Sequence, residues 1–304
     1  MAIFFVAQRD PAGLPGPVPM VYSLVMEKRE KGMVSVVIPT YNRAKTIERA
    51  LDSALAQDYG NKEILVVDDG STDHTPHILA RYKNQIRVLT QANKGVSAAR
   101  NAAIKISRGE FVALLDSDDW WENTKLSCQV RFFENHPRAV ICQTQEIWIR
   151  NGKRVNPRKK HEKLSGMIFE PSLELCLVSP SAVMIRAGVF KEKGLFKESF
   201  PVCEDYDLWL RITMDTPVHL IDRPLTVKTG GHKDQLSASH SQDRYRIASI
   251  LDLLESGRLS RDQRRCAKRV LENKCQIFGN GCIKRGKHQE GAYYLALARQ
   301  IRQT

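Results

Sequence analysis

Four short apolar or β-branched runs in the first 115 residues, Met33–Pro39, Lys62–Val67, Ile86–Thr90 and Phe111–Leu115, alternate with segments of helical spacing. Ala44–Gln57 places Ile47, Leu51, Ala54 and Leu55 on one helical face, and Thr75–Tyr82 reads as a short helix. Gly95–Ser107 gathers Ala98, Ala99, Ala102, Ala103 and Ile106 into a small-residue stripe suited to close packing. Strand runs of this length, each followed by a helix, predict βαβ units, because neighbouring parallel strands need a crossover between them. The expected fold class is therefore α/β with a mostly parallel central sheet. A chain of 304 residues, 42% of them hydrophobic, can bury such a core and carry an appendage besides.

Beyond Leu115 the pattern loosens. Ala139–Arg150 reads as a strand closed by the turn pair Asn151-Gly152, and 153–178 as a basic, irregular stretch. Ala182–Arg186 suggests a short strand and Tyr206–Met214 a helix. From Gln242 onward the pattern is helical, with Ile247, Ile250, Leu251 and Leu254 in one stripe and breaks expected at Gly257 and at Gly279-Asn280-Gly281. Cys266–Phe278 and Gln289–Ile301 resemble a single helical hairpin of the tetratricopeptide type. The expected organisation is a flexible extension over 1–32, a main domain over 33–240 divided at about residue 119, and a basic helical extension over 241–304.

Composition narrows the classes. No apolar run reaches the ~20 residues that span a bilayer, and Ile3–Ala7 lacks the basic start of a signal peptide. Seven cysteines, an odd number with no Cys-x-x-Cys pair, fit a reduced, cytoplasmic interior better than a disulfide frame. The net charge is +13, of which residues 240–304 carry +8 (fourteen Lys/Arg against six Asp/Glu). Lys153, Arg154, Arg158, Lys159, Lys160 and Lys163 form a second basic cluster. Such patches suit phosphates, on an anionic membrane surface or a phosphorylated acceptor, or they are simply solvated faces. No aromatic-interleaved RNA motif or helix-turn-helix spacing accompanies them, so nucleic acid is not an expected partner.

The segment LDSDD, 115–119, follows the fourth strand. Asp116 and Asp118 sit at i and i+2, which in extended chain puts both carboxylates on one side, where they can share a hard divalent cation. Acidic residues after strands are also ordinary turn formers, so the pair gains meaning from its neighbours. VSVVIPTYNR (34–43), VDDGSTD (67–73), NKGVSAARN (93–101), LDSDD (115–119) and EDYDLWLR (204–211) occur in that order. Together they resemble the family 2 glycosyltransferases of the GT-A fold, over roughly residues 33–235.

The resemblance implies an inverting enzyme that moves a sugar from a nucleoside-diphosphate sugar, by default a UDP-sugar, to an acceptor hydroxyl, in the synthesis of cell-surface polysaccharide or glycoconjugate. Pro39 and Tyr41 would meet the base, and Asp68 and Asp69 the base or ribose; Ser71 or Asp73 would in either case cap the next helix. Lys94 and Arg100 would hold the diphosphate, Lys94 as a point charge and Arg100 as a fork. Asp116, itself beside the donor, and Asp118 would carry Mn2+ or Mg2+. Asp205 would be the general base, with Glu204, Trp120 and Trp121 lining the acceptor side; Glu204 and Asp205 also complement a helix N-terminus, and the tryptophans, Trp209 included, can equally be packing residues. His232, after two glycines, would touch the metal or diphosphate. Expected partners are the donor and a saccharide or lipid-linked acceptor. A peripheral seat at the inner face of the membrane and dimerisation through the C-terminal helices are both compatible with the basic tail.

Two other classes compete. Nucleotidylyltransferases also use strand-end aspartates and Mg2+, but carry a glycine-rich basic signature near the first strand that Met33–Arg43 lacks. A non-catalytic nucleotide-sugar-binding scaffold would tolerate loss of Asp118 or Asp205, and both are present.

Overall fold

Val36 and Ile38 of the first strand pack on one face of a sheet and Val37 on the other, so this strand is buried from both sides. That is the environment in which near-continuous apolar strands are found. The computed structural model describes residues 29–156, 158–231 and 242–303. They fall into two compact units, one up to residue 231 and one from 242 onward.

In the first unit, β1 (Glu30–Thr40), β2 (Lys62–Asp68), β3 (Arg87–Thr90) and β4 (Gly109–Leu114) are parallel, in the order β3-β2-β1-β4. Their crossovers are α1 (Ile47–Leu55), α2 (Thr75–Arg81) and α3 (Val96–Ile106), as the alternating pattern predicts. β1 begins at Glu30, ahead of the expected boundary. Glu30 pairs with Gly109, and the register shifts before Val34. Residues 30–32 thus belong to the sheet and not to the extension.

The second half of the sheet is mixed rather than parallel. After β5 (Trp120–Trp121) and α4 (Lys125–Asn135) come β6 (Ile141–Arg150) and β7 (Lys153–Val155), then α5 (Phe169–Glu174), β8 (Val183–Arg186), α6 (Gly188–Lys193), α7 (Glu204–Thr213) and β9 (His219–Gly230). β8 lies antiparallel between β4 and β6, β9 runs parallel to β6, and β5 pairs antiparallel with β9. The Asn151-Gly152 turn is present, with φ of 50° and 75°, and closes the β6–β7 hairpin. The stretch expected to be irregular therefore contains β7, a 3-10 turn (Lys159–His161) and α5.

Gly109 sits where β4 meets β1. A Cβ there would lie 2.7 Å from both the Met33 carbonyl oxygen and the Ser35 nitrogen. Neither backbone atom can move without breaking the ladder. Gly109→Ala is expected to cost about 1–3 kcal/mol, seen as a lower urea midpoint with an unchanged slope; an unchanged midpoint would show that the strands yield freely.

The second unit holds α8 (Gln242–Glu255), α9 (Arg261–Lys284) and α10 (His288–Gln303). Ser260 and Gln263 form a capping box at the start of α9, and Gly257, at φ 69°, makes the turn before it. The break expected at Gly279-Asn280-Gly281 does not occur: α9 runs through it. Gly279 instead faces Gly291 of α10, where a Cβ on either would come within 3.0 Å or less of the other's carbonyl oxygen. These glycines let the two helix backbones touch. Among the described residues, no helix is long and apolar enough to cross a membrane.

Candidate active site

β1, β2 and β4 all end at one edge of the sheet, the carboxyl edge where open α/β folds bind ligands. The residues predicted for donor binding emerge there. Pro39 is buried at the end of β1, and Tyr41 just beyond it is 42% exposed. Asn42, at φ 51°, accepts from the backbone of Thr72 (2.8 Å) and donates its own N–H to the Ser71 hydroxyl (2.9 Å). The loops after β1 and β2 are thereby laced into one surface. The Ser71 hydroxyl and the Asp73 carboxylate receive backbone N–H groups of this surface, at Asn42 and at Ala44 and Thr75.

The two aspartates after β2 are both buried but differently engaged. Asp68 accepts from the Ser71 N–H at 3.0 Å, which tightens the Gly70 turn. Asp69 takes the side-chain amide of Gln91 (2.7 Å) and the N–H groups of Lys94 (2.9 Å) and Gly95 (2.7 Å). Three donors fix it as a clamp on the entry to α3. That clamp leaves the exposed Lys94 ammonium without a partner among the described residues.

Arg100 departs from its expected role. Its side chain is buried, and its two terminal nitrogens donate to Asp116 Oδ1 (2.7 Å) and Glu204 Oε1 (2.6 Å). The fork is already occupied by carboxylates and is not open toward a phosphate. It ties the end of β4 to the start of α7, across 104 residues of chain to Glu204. Burial would lower its pKa, but Asp116 and Glu204 outweigh that and raise it further. Arg100 is a permanent cation. Burial and the neighbouring Asp205 carboxylate push Glu204 up to about 7, against the pull of Arg100.

The LDSDD loop is braced by its third aspartate. Asp119 is buried; it accepts from the Ser181 hydroxyl (2.7 Å) and the Thr229 N–H (2.8 Å), while Ser181 also receives the Asp116 N–H. Burial, reinforced by Asp118 and Asp116 and opposed by Lys228, raises Asp119 well above the carboxylate range. With Asp119 turned inward, Asp116 and Asp118 remain half-exposed at the cleft. Asp116 Oδ2 has no hydrogen-bond partner among the described residues. A half-exposed carboxylate pair with such an oxygen fits a hard divalent cation that completes its shell with phosphate and water. Among the described residues, no three His, Cys, Asp or Glu side chains form a metal-type cluster. His232 lies outside the described residues.

Two tryptophans expected to line the acceptor side diverge. Trp120 is half-exposed under the Arg49 guanidinium, 3.7 Å from its ring centre. Trp121 points inward, 3% exposed, donating to the Ser181 carbonyl and lying under Lys125; it braces the loop instead of lining the site. Trp209 is in the core against Phe196. Asp205 is half-buried in the first turn of α7. Its Oδ1 accepts from the Tyr206 N–H (2.7 Å), and its Oδ2 lies 3.5 Å from the Cys176 sulfur. Burial and then Asp205 push the Cys176 thiol well up, so it stays protonated and donates to the carboxylate.

Two cations at this site escape the sequence reading. Arg49 of α1 donates to the Asp118 carbonyl at 3.1 Å. The carboxylates of Glu146, Asp119, Asp116 and Asp205 raise the pKa of Lys228 on β9 against the cost of burial. The only local sign of Lys228 is a charged residue at a strand position flanked by Val227 and Thr229.

Residues 35–194 match the profile of the family described as Glycosyl transferase family 2. An uncharacterized glycosyltransferase of Rickettsia felis is 32% identical over 223 residues, 69% of this chain and 36% of that protein; the present chain spans about a third of that relative's length. WfaP of Escherichia coli, named UDP-Glc:alpha-D-GlcNAc-diphosphoundecaprenol beta-1,3-glucosyltransferase, is 36% identical over 192 residues, 59% of this chain and 70% of WfaP. The crystal structure of Staphylococcus aureus TarS 1–349 in complex with UDP-GlcNAc superposes with a TM-score of 0.68 and 22% identity, covering 88% of this chain and 79% of that one. The shared architecture is that of the GT-A glycosyltransferases, with C-terminal helices in addition.

Proposed function

Since this chain belongs to glycosyl transferase family 2, we propose that it transfers a sugar from a UDP-sugar to a hydroxyl of a sugar held on a lipid diphosphate, with inversion at the anomeric carbon. The observation that carries this reading is the Arg100 bridge. One buried guanidinium holds Asp116, at the donor side, and Glu204, next to Asp205, in a single cluster. The bridge supports a reading in which a donor carboxylate, Asp116, and a base, Asp205, 89 positions apart, serve one site.

The donor's base and ribose lie against Tyr41 and Asp68 on the laced loops, and Lys94 meets the diphosphate as a point charge. Asp116 and Asp118 would hold Mn2+ or Mg2+, which would supply positive charge for the departing nucleoside diphosphate. Asp205, oriented by the Tyr206 N–H and the Cys176 thiol, accepts the acceptor's hydroxyl proton as that oxygen bonds to the anomeric carbon. The bond from that carbon to the phosphate oxygen breaks, and the nucleoside diphosphate leaves with the electron pair. Support for UDP and a lipid-diphosphate acceptor comes from the WfaP relative. The basic second unit, +8 over residues 240–304, suits peripheral contact with an anionic membrane surface, where such an acceptor resides.

The test is a thermal melt with UDP-glucose, with and without Mn2+, alongside a transfer assay on a GlcNAc-diphosphate acceptor. Ligand at about a hundred times its Kd adds about 2.7 kcal/mol to stability, a rise of several degrees. Asp118→Ala is expected to keep the metal-free melt and lose the Mn2+-dependent rise. No rise with any nucleotide sugar, and no transfer, would overturn the reading.

A further inference from the structure

A cavity of about 250 Å3 lies between the outer half of β6 and residues 158–163. Its floor is a locked ion pair: Glu146 and Lys163 meet at 3.1 Å with side chains 4% and 6% exposed, and Lys163 also donates to the Ser179 hydroxyl at 2.8 Å. Trp148 donates its indole N–H to the second Glu146 oxygen at 2.9 Å. Burial alone would push Glu146 up, yet Lys163 and Lys228 hold it at about 2. The carboxylate is therefore spent on cations the protein already owns, and it does not ask for another.

The rim is net cationic, two cations against the one exposed carboxylate of Glu162. Arg158 and Lys159 are exposed, and neither side chain has a partner among the described residues. His161 packs its ring 5.4 Å from that of half-buried Trp148, which gives the cavity an aromatic wall. Unpaired cations over an aromatic wall suit a ligand that is anionic at one end and presents a sugar face at the other. Lys228 connects this cavity to the catalytic cluster. It pairs in register with Trp148, and its charge is felt by Glu146 in the cavity floor and by Asp116, Asp119 and Asp205. The donor diphosphate already has Lys94 and the Asp116–Asp118 pair, so the ligand here belongs to the other substrate.

We infer that this cavity seats the phosphate groups of the acceptor, with Arg158 and Lys159 as their ligands and Trp148 beneath the acceptor sugar. The inference rests on the proposed transfer to a phosphate-linked acceptor. Its test uses the full chain with the donor site filled by saturating UDP, titrated with inorganic pyrophosphate. The double variant Arg158→Ala/Lys159→Ala removes two exposed, unpartnered side chains, so the fold stays intact. Its pyrophosphate affinity is expected to fall by about tenfold or more, with UDP affinity unchanged. In the transfer assay on a short-chain GlcNAc-diphosphate acceptor, the acceptor KM should rise by a similar factor while kcat and the UDP-sugar KM stay put. Unchanged pyrophosphate affinity, no binding by the unmodified chain, or an equal loss of UDP affinity would each overturn the assignment. The titration needs no turnover, so failure of this seat is told apart from failure of the transferase reading.

Discussion

Asp205→Asn is expected to lower kcat for sugar transfer by about 10^2 to 10^4-fold, the usual contribution of a positioned general base, with little change in the melting temperature. The Asn side chain has the same shape and can still accept from the Tyr206 N–H, now 2.7 Å from Asp205 Oδ1. It cannot take a proton from the acceptor. The loss should fall on kcat, and UDP-sugar binding should survive, because the proposed donor residues Asp68, Lys94 and Asp116 are untouched. This variant also separates the competing classes. A nucleotide-sugar-binding scaffold has no turnover to lose, and a nucleotidylyltransferase would form a nucleotide sugar from a sugar phosphate and a nucleoside triphosphate. Turnover within about tenfold of the unmodified chain would remove Asp205 from the chemistry.

Arg100→Met is the second large effect, and it falls on stability first. Arg100 is 3% exposed, and its fork neutralises Asp116 and Glu204 at 2.7 and 2.6 Å. Methionine fills the space but leaves one carboxylate buried and another nearby with no shared cation. Breaking a buried pair from one side costs about 3–5 kcal/mol, which for a domain of this size lowers the melting temperature by roughly 10 °C. Pairing it with Glu204→Gln should recover part of the loss, because the most deeply buried charge is then gone. Transfer should stay low in the double variant, since Asp116 still lacks its anchor. A melting temperature unchanged by Arg100→Met would mean that the bridge contributes nothing to holding the two motifs together.

The parallel half of the sheet was legible because its signals are local. Helical spacing, β-branched runs and small-residue stripes report the burial of β1, β2 and β4 and of their helices, while β3, mostly exposed, is marked only by its short apolar run. The Asn151-Gly152 turn was legible for the same reason, since a positive φ has a residue preference wherever it occurs. Gly279 misled because a glycine in a helix reads locally as a breaker. Its reason for being there is Gly291, on another helix. The antiparallel return through β8 and the parallel pairing of β6 with β9 depend on partners 40 to 80 residues away, and no local period encodes a partner.

The same division runs through the site. Asp116 and Asp118, Asp205, Lys94, and Asp68 with Asp69 stand in ordered motifs, so the sequence by itself determined the family to which this chain belongs. The tertiary structure alone decided what each group does: that Asp69 clamps a turn, that Asp119 braces the loop from inside, that Trp121 faces the core, and that Arg100 holds carboxylates instead of phosphate. It also brought in Arg49 and Lys228, which belong to no motif. A side chain's type is fixed by its own codon position, but its charge partners are chosen by packing across the fold. Electrostatic roles therefore become visible only once distant segments share one low-dielectric cleft.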